Sequence, residues 1–172
     1  MKTQIFFVLG PTASGKSKFA LNLAEKLNGE IINADSMQIY RELSILTARP
    51  TLEDKKKVNH HLYGFVKGDV RFNVQKWCEE VSKKINYLVN QNITPILVGG
   101  TGLYIESLIN GIVSIPSIPE KVKIESDKMI LKIGKENFFN LVKELDSDAM
   151  INIAPNDIQR IRRIWEVNFF TK

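Results

Sequence analysis

Cysteine is almost absent from this 172-residue chain: a single Cys78 excludes an internal disulfide and fits a reducing compartment. Cys78 falls inside a helical pattern, where a packed thiol is expected rather than a nucleophile. Histidine is nearly as scarce, with His60 and His61 the only two. Adjacent residues on an extended segment point to opposite faces, so a hydrogen-bonding role is expected and an imidazole metal site is not. Long apolar runs are missing too. The stretch MKTQIFFVLG holds one lysine and five consecutive apolar residues, too short for a signal peptide or a membrane helix. The chain is therefore expected in the cytoplasm, with no membrane partner. There are no internal repeats and no low-complexity tract.

What remains is 44% hydrophobic, which suits a compact core of ordinary size. Lys and Arg number 24 against 19 Asp and Glu, a net charge of +5 with a pI near 9.3. That balance suits a polyanionic partner, nucleic acid or phosphate esters, and equally a chain that is simply rich in lysine.

Gln4 to Leu9 is rich in Ile, Phe and Val and ends in Gly-Pro, which reads as a buried strand. Ser14 to Asn28 carries Phe19, Ala20, Leu23 and Leu27 at helical spacing, with Gly29 as its stop. Glu30 to Ala34 is the next strand, so the first thirty-odd residues form a βαβ unit with parallel strands. Arg41 to Phe72 has mixed periodicity and reads as loops with short elements. Asn73 caps a helix whose apolar face holds Val74, Trp77, Val81, Ile85 and Leu88. TPILV, Thr94 to Val98, is another buried strand, and Gly99-Gly100-Thr101-Gly102 turns it into a short helix. Pro116 and Pro119 punctuate the chain. Glu120 to Leu145 is helical and Lys-rich with a break at Gly134, and Asn156 opens a last helix. These patterns divide the chain into a core over 1–112, a helical insertion over 113–150, and a return to the core over 151–172.

Gly10 to Ser17 reads GPTASGKS, a G-x-x-x-x-G-K-S motif set between a strand and a helix. In that context Gly10, Pro11, Thr12, Ala13, Ser14 and Gly15 form a loop whose amides and helix N-terminus cradle a di- or triphosphate. Lys16 reaches the terminal phosphates and Ser17 can hold Mg²⁺. Enzymes that hydrolyse nucleotides at such a cradle usually place an acid after a second apolar strand. TPILV ends in Gly-Gly-Thr instead. Asp35, at the end of EIINADSMQIY, is the only other carboxylate directly after an apolar strand. Spacing alone leaves it divided between a metal or other functional acid and a helix-capping residue.

Four blocks, GPTASGKS at 10–17, DSMQIY at 35–40, VGGTGLY at 98–104 and NDIQRIRR at 156–163, resemble the tRNA dimethylallyltransferases in content and order. TARP at 47–50 and HHL at 60–62 add to the resemblance, which runs from Ile5 to about Val167. It implies an α/β fold of P-loop NTPase type, a parallel sheet flanked by helices with a small helical insertion. It also implies transfer of a dimethylallyl group from its diphosphate to N6 of the adenine beside the anticodon of tRNA, releasing pyrophosphate, with Mg²⁺ as cofactor. Thr12 to Ser17 would then bind the allylic diphosphate, with Lys16 and Mg²⁺ neutralising the leaving group. Asp35 would accept the proton of the attacking amine, and Thr101 would help hold the reacting centre. Ser36, Met37 and Gln38 would line the wall around a flipped-out base. Gln159, Arg160, Ile161, Arg162 and Arg163 match the family's second tRNA-contacting stretch, and Lys123 stands where many relatives carry a tRNA-contacting arginine. The Lys-rich insertion would grip the anticodon stem. A monomer is expected.

Leu46 stands where the family usually has Gly, and Asn59 where it usually has Pro. Family members also continue well past the QRIRR helix, so truncation is expected. The competing readings are a remnant that binds phosphate or RNA without turnover, an isopentenyltransferase acting on free adenine nucleotides, and a small-molecule kinase. A kinase would need arginines in its lid, and Glu120 to Lys143 has none.

Overall fold

The computed structural model describes residues 4–112 and 117–171. They fall into two compact units, Met1–Ile112 and Val113–Lys172. Pro116 lies outside the described residues.

The first unit is a parallel sheet between helices. In chain order it comprises β1 (Phe6–Leu9), α1 (Lys16–Leu27), β2 (Gly29–Asn33), α2 (Leu52–Lys57), β3 (His60–His61), α3 (Val74–Asn90), β4 (Thr94–Gly99) and α4 (Gly102–Asn110). The strand order is β1-β4-β2-β3, and every pairing is parallel. β4 is central, so nearly all of its residues are buried, as the continuous run TPILV anticipates. Successive side chains of β2 point to opposite faces. Ile31 joins Ile96, Val98, Ala20, Leu21 and Ala24 under α1. Ile32 joins Leu97, Ala34, Trp77, Val81, Leu88 and Tyr104 under α3 and α4. Cys78 packs at the margin of this second cluster, where burial pushes its thiol pKa up, as expected of a structural cysteine.

Several boundaries differ from the sequence reading for definite reasons. Helix α1 is stopped by Asn28, which adopts the left-handed conformation at φ 47°. Gly29 therefore does not end the helix; it begins β2, where a Cβ would come within 2.8 Å of Ile96 Cδ1 and 2.9 Å of the Thr94 carbonyl. The lysine run 55–57 lies on α2, whose first turn is closed by a reciprocal capping box between Thr51 and Asp54.

The second unit is helical: α5 (Glu120–Ile133), α6 (Lys135–Leu145), α7 (Ser147–Met150) and α8 (Ile158–Thr171). Gly134, at φ 81°, makes the break between α5 and α6. Val122, Phe138, Val142, Met150, Ile161 and Trp165 form its core. The C-terminal segment 151–172, expected to return to the first core, instead supplies α8 to this one, packed on α5 and α6. Asp157 rather than Asn156 begins the helix, its Oδ1 accepting from the Arg160 amide at 3.2 Å.

Candidate active site

Strand β1 ends at Leu9 and the chain loops through Gly10 to Gly15 before α1 begins. Ala13 and Gly15 both take positive φ, 62° and 81°, which turns the loop back on itself. Gly15 is the residue before the helix, and no side chain caps α1 there. The first amides of a helix have no intrahelical acceptor, so this N-terminus points donors and a partial positive charge outward. The Lys16 ammonium lies along the same loop and donates to the Pro11 carbonyl.

This loop shares a cavity of about 420 Å³ with residues from three other segments. Thr12 to Lys18 form one wall, and Asp35, Gln38, Thr47, Ala48, Val98 and Gly99 form the rest. The phosphate-type loop and the carboxylate in question therefore face the same space. Gln38 is fixed there by its side-chain amide, which donates to the Thr47 carbonyl at 2.7 Å. Thr47 and Ala48 belong to the TARP block but were not among the expected site residues; the only sequence signal for them was that block.

Asp35 does not cap a helix. Its Oδ1 accepts the Met37 amide at 2.8 Å, an Asx-turn that opens an irregular loop. Its other oxygen makes no hydrogen bond among the described residues. Nearby, burial first and the Asp35 charge second push the Tyr63 phenol well above its ordinary pKa. Burial likewise leads in raising Tyr104 to about 12. Both phenols stay protonated at neutral pH.

The Gly-Gly-Thr turn after β4 is stitched to the Asp35 loop. The Thr101 amide donates to the Ala34 carbonyl at 3.3 Å, and the Thr101 hydroxyl oxygen accepts the Ser36 amide at 3.0 Å. That hydroxyl also lies 3.4 Å from Ser36 Oγ. Thr101 precedes α4, yet its side chain makes no capping bond to it; its hydroxyl serves the neighbouring loop. Met37 is half-exposed. Among the described residues no group of three or more His, Cys, Asp or Glu could hold a metal ion. Ser17, the residue expected to hold Mg²⁺, lines this cavity, and its hydroxyl is an oxygen donor of the kind that ion accepts.

The two histidines behave as hydrogen-bonding residues. His60 Nδ1 meets the Val58 carbonyl at 2.8 Å and His61 Nε2 meets Glu30 Oε2 at 2.5 Å.

In the second unit the expected RNA-contacting residues separate into two kinds. Gln159, Arg160 and Arg163 are exposed on α8. Ile161 is 0% exposed in the core of the unit, so its side chain cannot meet a ligand, and its place in the contact set is corrected. Arg162 is held at 2.7 Å from Asp127 on α5 and 3.4 Å from the buried Glu166. Its guanidinium is a strut between helices. Lys123 pairs with Glu120 one turn away at 2.8 Å.

The description IPP transferase belongs to the family model that matches residues 38–172. The tRNA dimethylallyltransferase of Pelagibacter ubique is 47% identical over 170 residues, covering 99% of this chain and 54% of that protein. A solved eukaryotic dimethylallyltransferase acting on tRNA superposes with a TM-score of 0.82 at 28% identity, over 96% of this chain and 41% of that one. The full-length tRNA isopentenylpyrophosphate transferase of Bacillus halodurans gives a TM-score of 0.64 at 32% identity, over 99% of this chain and 56% of that one. The chain thus spans about half the length of the curated relatives it matches. Their P-loop NTPase-like architecture is the one described above. With the family model matched over most of its length, this chain belongs to the IPP transferase family.

Proposed function

We propose that this protein takes part in transferring a dimethylallyl group from dimethylallyl diphosphate to N6 of the adenine next to the anticodon in tRNA, releasing pyrophosphate. The observation that carries the reading is the single cavity lined by both the cradle, Thr12 to Ser17, and Asp35. A diphosphate seated on the loop amides and Lys16 sets its allylic carbon into that cavity. Mg²⁺, held by Ser17 and the phosphates, would offset charge on the departing pyrophosphate. The adenine N6 attacks the allylic carbon as the carbon–oxygen bond to the diphosphate breaks. The proton released from N6 goes to the unbonded carboxylate oxygen of Asp35. Gln38, Ser36 and Met37 form the wall that receives the base, and the exposed Gln159, Arg160 and Arg163 suit RNA phosphates and loop bases.

The test is to incubate the protein with dimethylallyl diphosphate, Mg²⁺ and unmodified tRNA, and to look for prenylated adenosine by mass spectrometry. Product is expected with tRNA, and none with free adenine nucleotides. ATP-dependent phosphorylation of a small acceptor would overturn the reading. Asp35→Asn is expected to lower turnover by roughly 10²- to 10⁴-fold, with inorganic pyrophosphate still bound at the cradle. Unchanged turnover in that variant would return Asp35 to its turn-forming role.

A further inference from the structure

Asn33, the last residue of β2, is fully buried and stands two residues before Asp35. Its side-chain amide is used on the loop that follows β2 and on the segment after β3. Oδ1 accepts the Asp35 amide at 3.0 Å, while Nδ2 donates to the Asp35 carbonyl at 2.9 Å and to the Leu62 carbonyl at 3.1 Å. Reversing the amide would set donor against donor at the Asp35 N–H and oxygen against oxygen at both carbonyls, so one orientation alone satisfies the network. The Asn33 backbone carbonyl in turn accepts the buried Trp77 indole N–H at 3.1 Å. One side chain thus grips both peptide groups of Asp35, is anchored to the segment after β3, and sits in the hydrophobic core.

We infer that Asn33 is a positioning residue for the transfer: it fixes the backbone of Asp35 so that the carboxylate meets the attacking amine. The inference rests on the reading of Asp35 as proton acceptor. The Asx-turn to Met37 uses a carboxylate oxygen of Asp35, and the Thr101 amide holds the Ala34 carbonyl on the peptide before it, but neither engages the Asp35 N–H or C=O directly. The Thr101–Ser36 bond holds the residue after Asp35. None of these replaces the Asn33 clamp. A general base displaced by about an ångström loses much of its effect. The cradle, by contrast, makes no hydrogen bond to Asn33 and is indifferent to it.

The experiment compares the unsubstituted chain with Asn33→Ala, Asn33→Ser, Asp35→Asn and the double variant Asn33→Ala/Asp35→Asn, measuring kcat, the KM for dimethylallyl diphosphate, and pyrophosphate binding by calorimetry. Asn33→Ala is expected to lower kcat by about 10- to 100-fold, with KM and pyrophosphate affinity within about twofold. Asn33→Ser, whose hydroxyl can still accept the amide two residues on, is expected to recover part of the loss, and carries the comparison if Asn33→Ala does not fold. In the Asp35→Asn background, Asn33→Ala is expected to cost nothing further. Full kcat in Asn33→Ala or Asn33→Ser, or an equal additional loss in the Asp35→Asn background, would overturn the inference and leave the transferase reading standing. No turnover by the unsubstituted chain, or full turnover by Asp35→Asn, would overturn that reading and this inference with it.

Discussion

Glu30 shows how a single residue is set by its neighbours. It is the second, half-buried residue of β2, and its carboxylate accepts from Asn59 Nδ2 at 2.6 Å and meets His61 Nε2 at 2.5 Å. Burial works to raise its pKa, but the hydrogen bonds from Asn59 and His61 outweigh that and hold it below the ordinary 4.5. A carboxylate with a depressed folded-state pKa stabilises the fold above its unfolded value and loses that contribution as pH falls through the folded one. The melting temperature is therefore expected to drop as pH is lowered past 4.5, and Glu30→Gln should flatten that part of the profile; thermal melts at stepped pH measure it. At this scale the sequence marked Asp35, because an acid after an apolar strand is visible in a string of letters. It could not mark Asn33, whose partners include Leu62, 29 positions away.

Among elements, the turn from β4 into α4 illustrates why its composition is so restricted. Gly99 ends β4 where the chain passes over the end of β2, and a Cβ there would come within 2.1 Å of the Ala34 carbonyl oxygen and 2.8 Å of the Asp35 amide nitrogen. Backbone is on the far side of that contact, so nothing can swing away. Gly99→Ala is expected to destabilise the protein by about 1–3 kcal/mol or more, read from urea melts, and to lower turnover by displacing the Asp35 loop. The helices were legible because their apolar spacing is long and regular, α3 above all, down to the Asn73 cap. β3 was not. Its two residues form a strand only through pairing with Ile31 and Ile32, and two residues carry no periodicity.

For the molecule as a whole, the division into two units governs what a core mutation should do. Phe138 is fully buried in the core of the second unit, beside Trp165. Phe138→Ala is expected to cost about 3–5 kcal/mol, seen as a lowered melting transition. Pyrophosphate affinity belongs to the cradle of the first unit and is expected to stay within about twofold, as calorimetry below the transition would show. A large loss of affinity at temperatures where the variant remains folded would mean that the cradle depends on the second core. The family resemblance named a chemistry for the cradle at 10–17 and for the QRIRR stretch at 159–163, yet the apolar stripe of α8 fits any core of the right shape.

The sequence by itself determined the cradle, the parallel strands and the suspect carboxylate, because each follows from local rules: a glycine-bearing loop between strand and helix, continuous apolar runs, and a charge at a strand end. Only the tertiary structure decided which groups share a space. It brought Asp35, Gln38 and Thr47 to the cradle's cavity. It assigned α8 to the second core, with Ile161 buried there, and turned Arg162 into a strut. The physical reason is that spacing sets which side of an element is apolar, whereas packing against distant residues sets what that side touches.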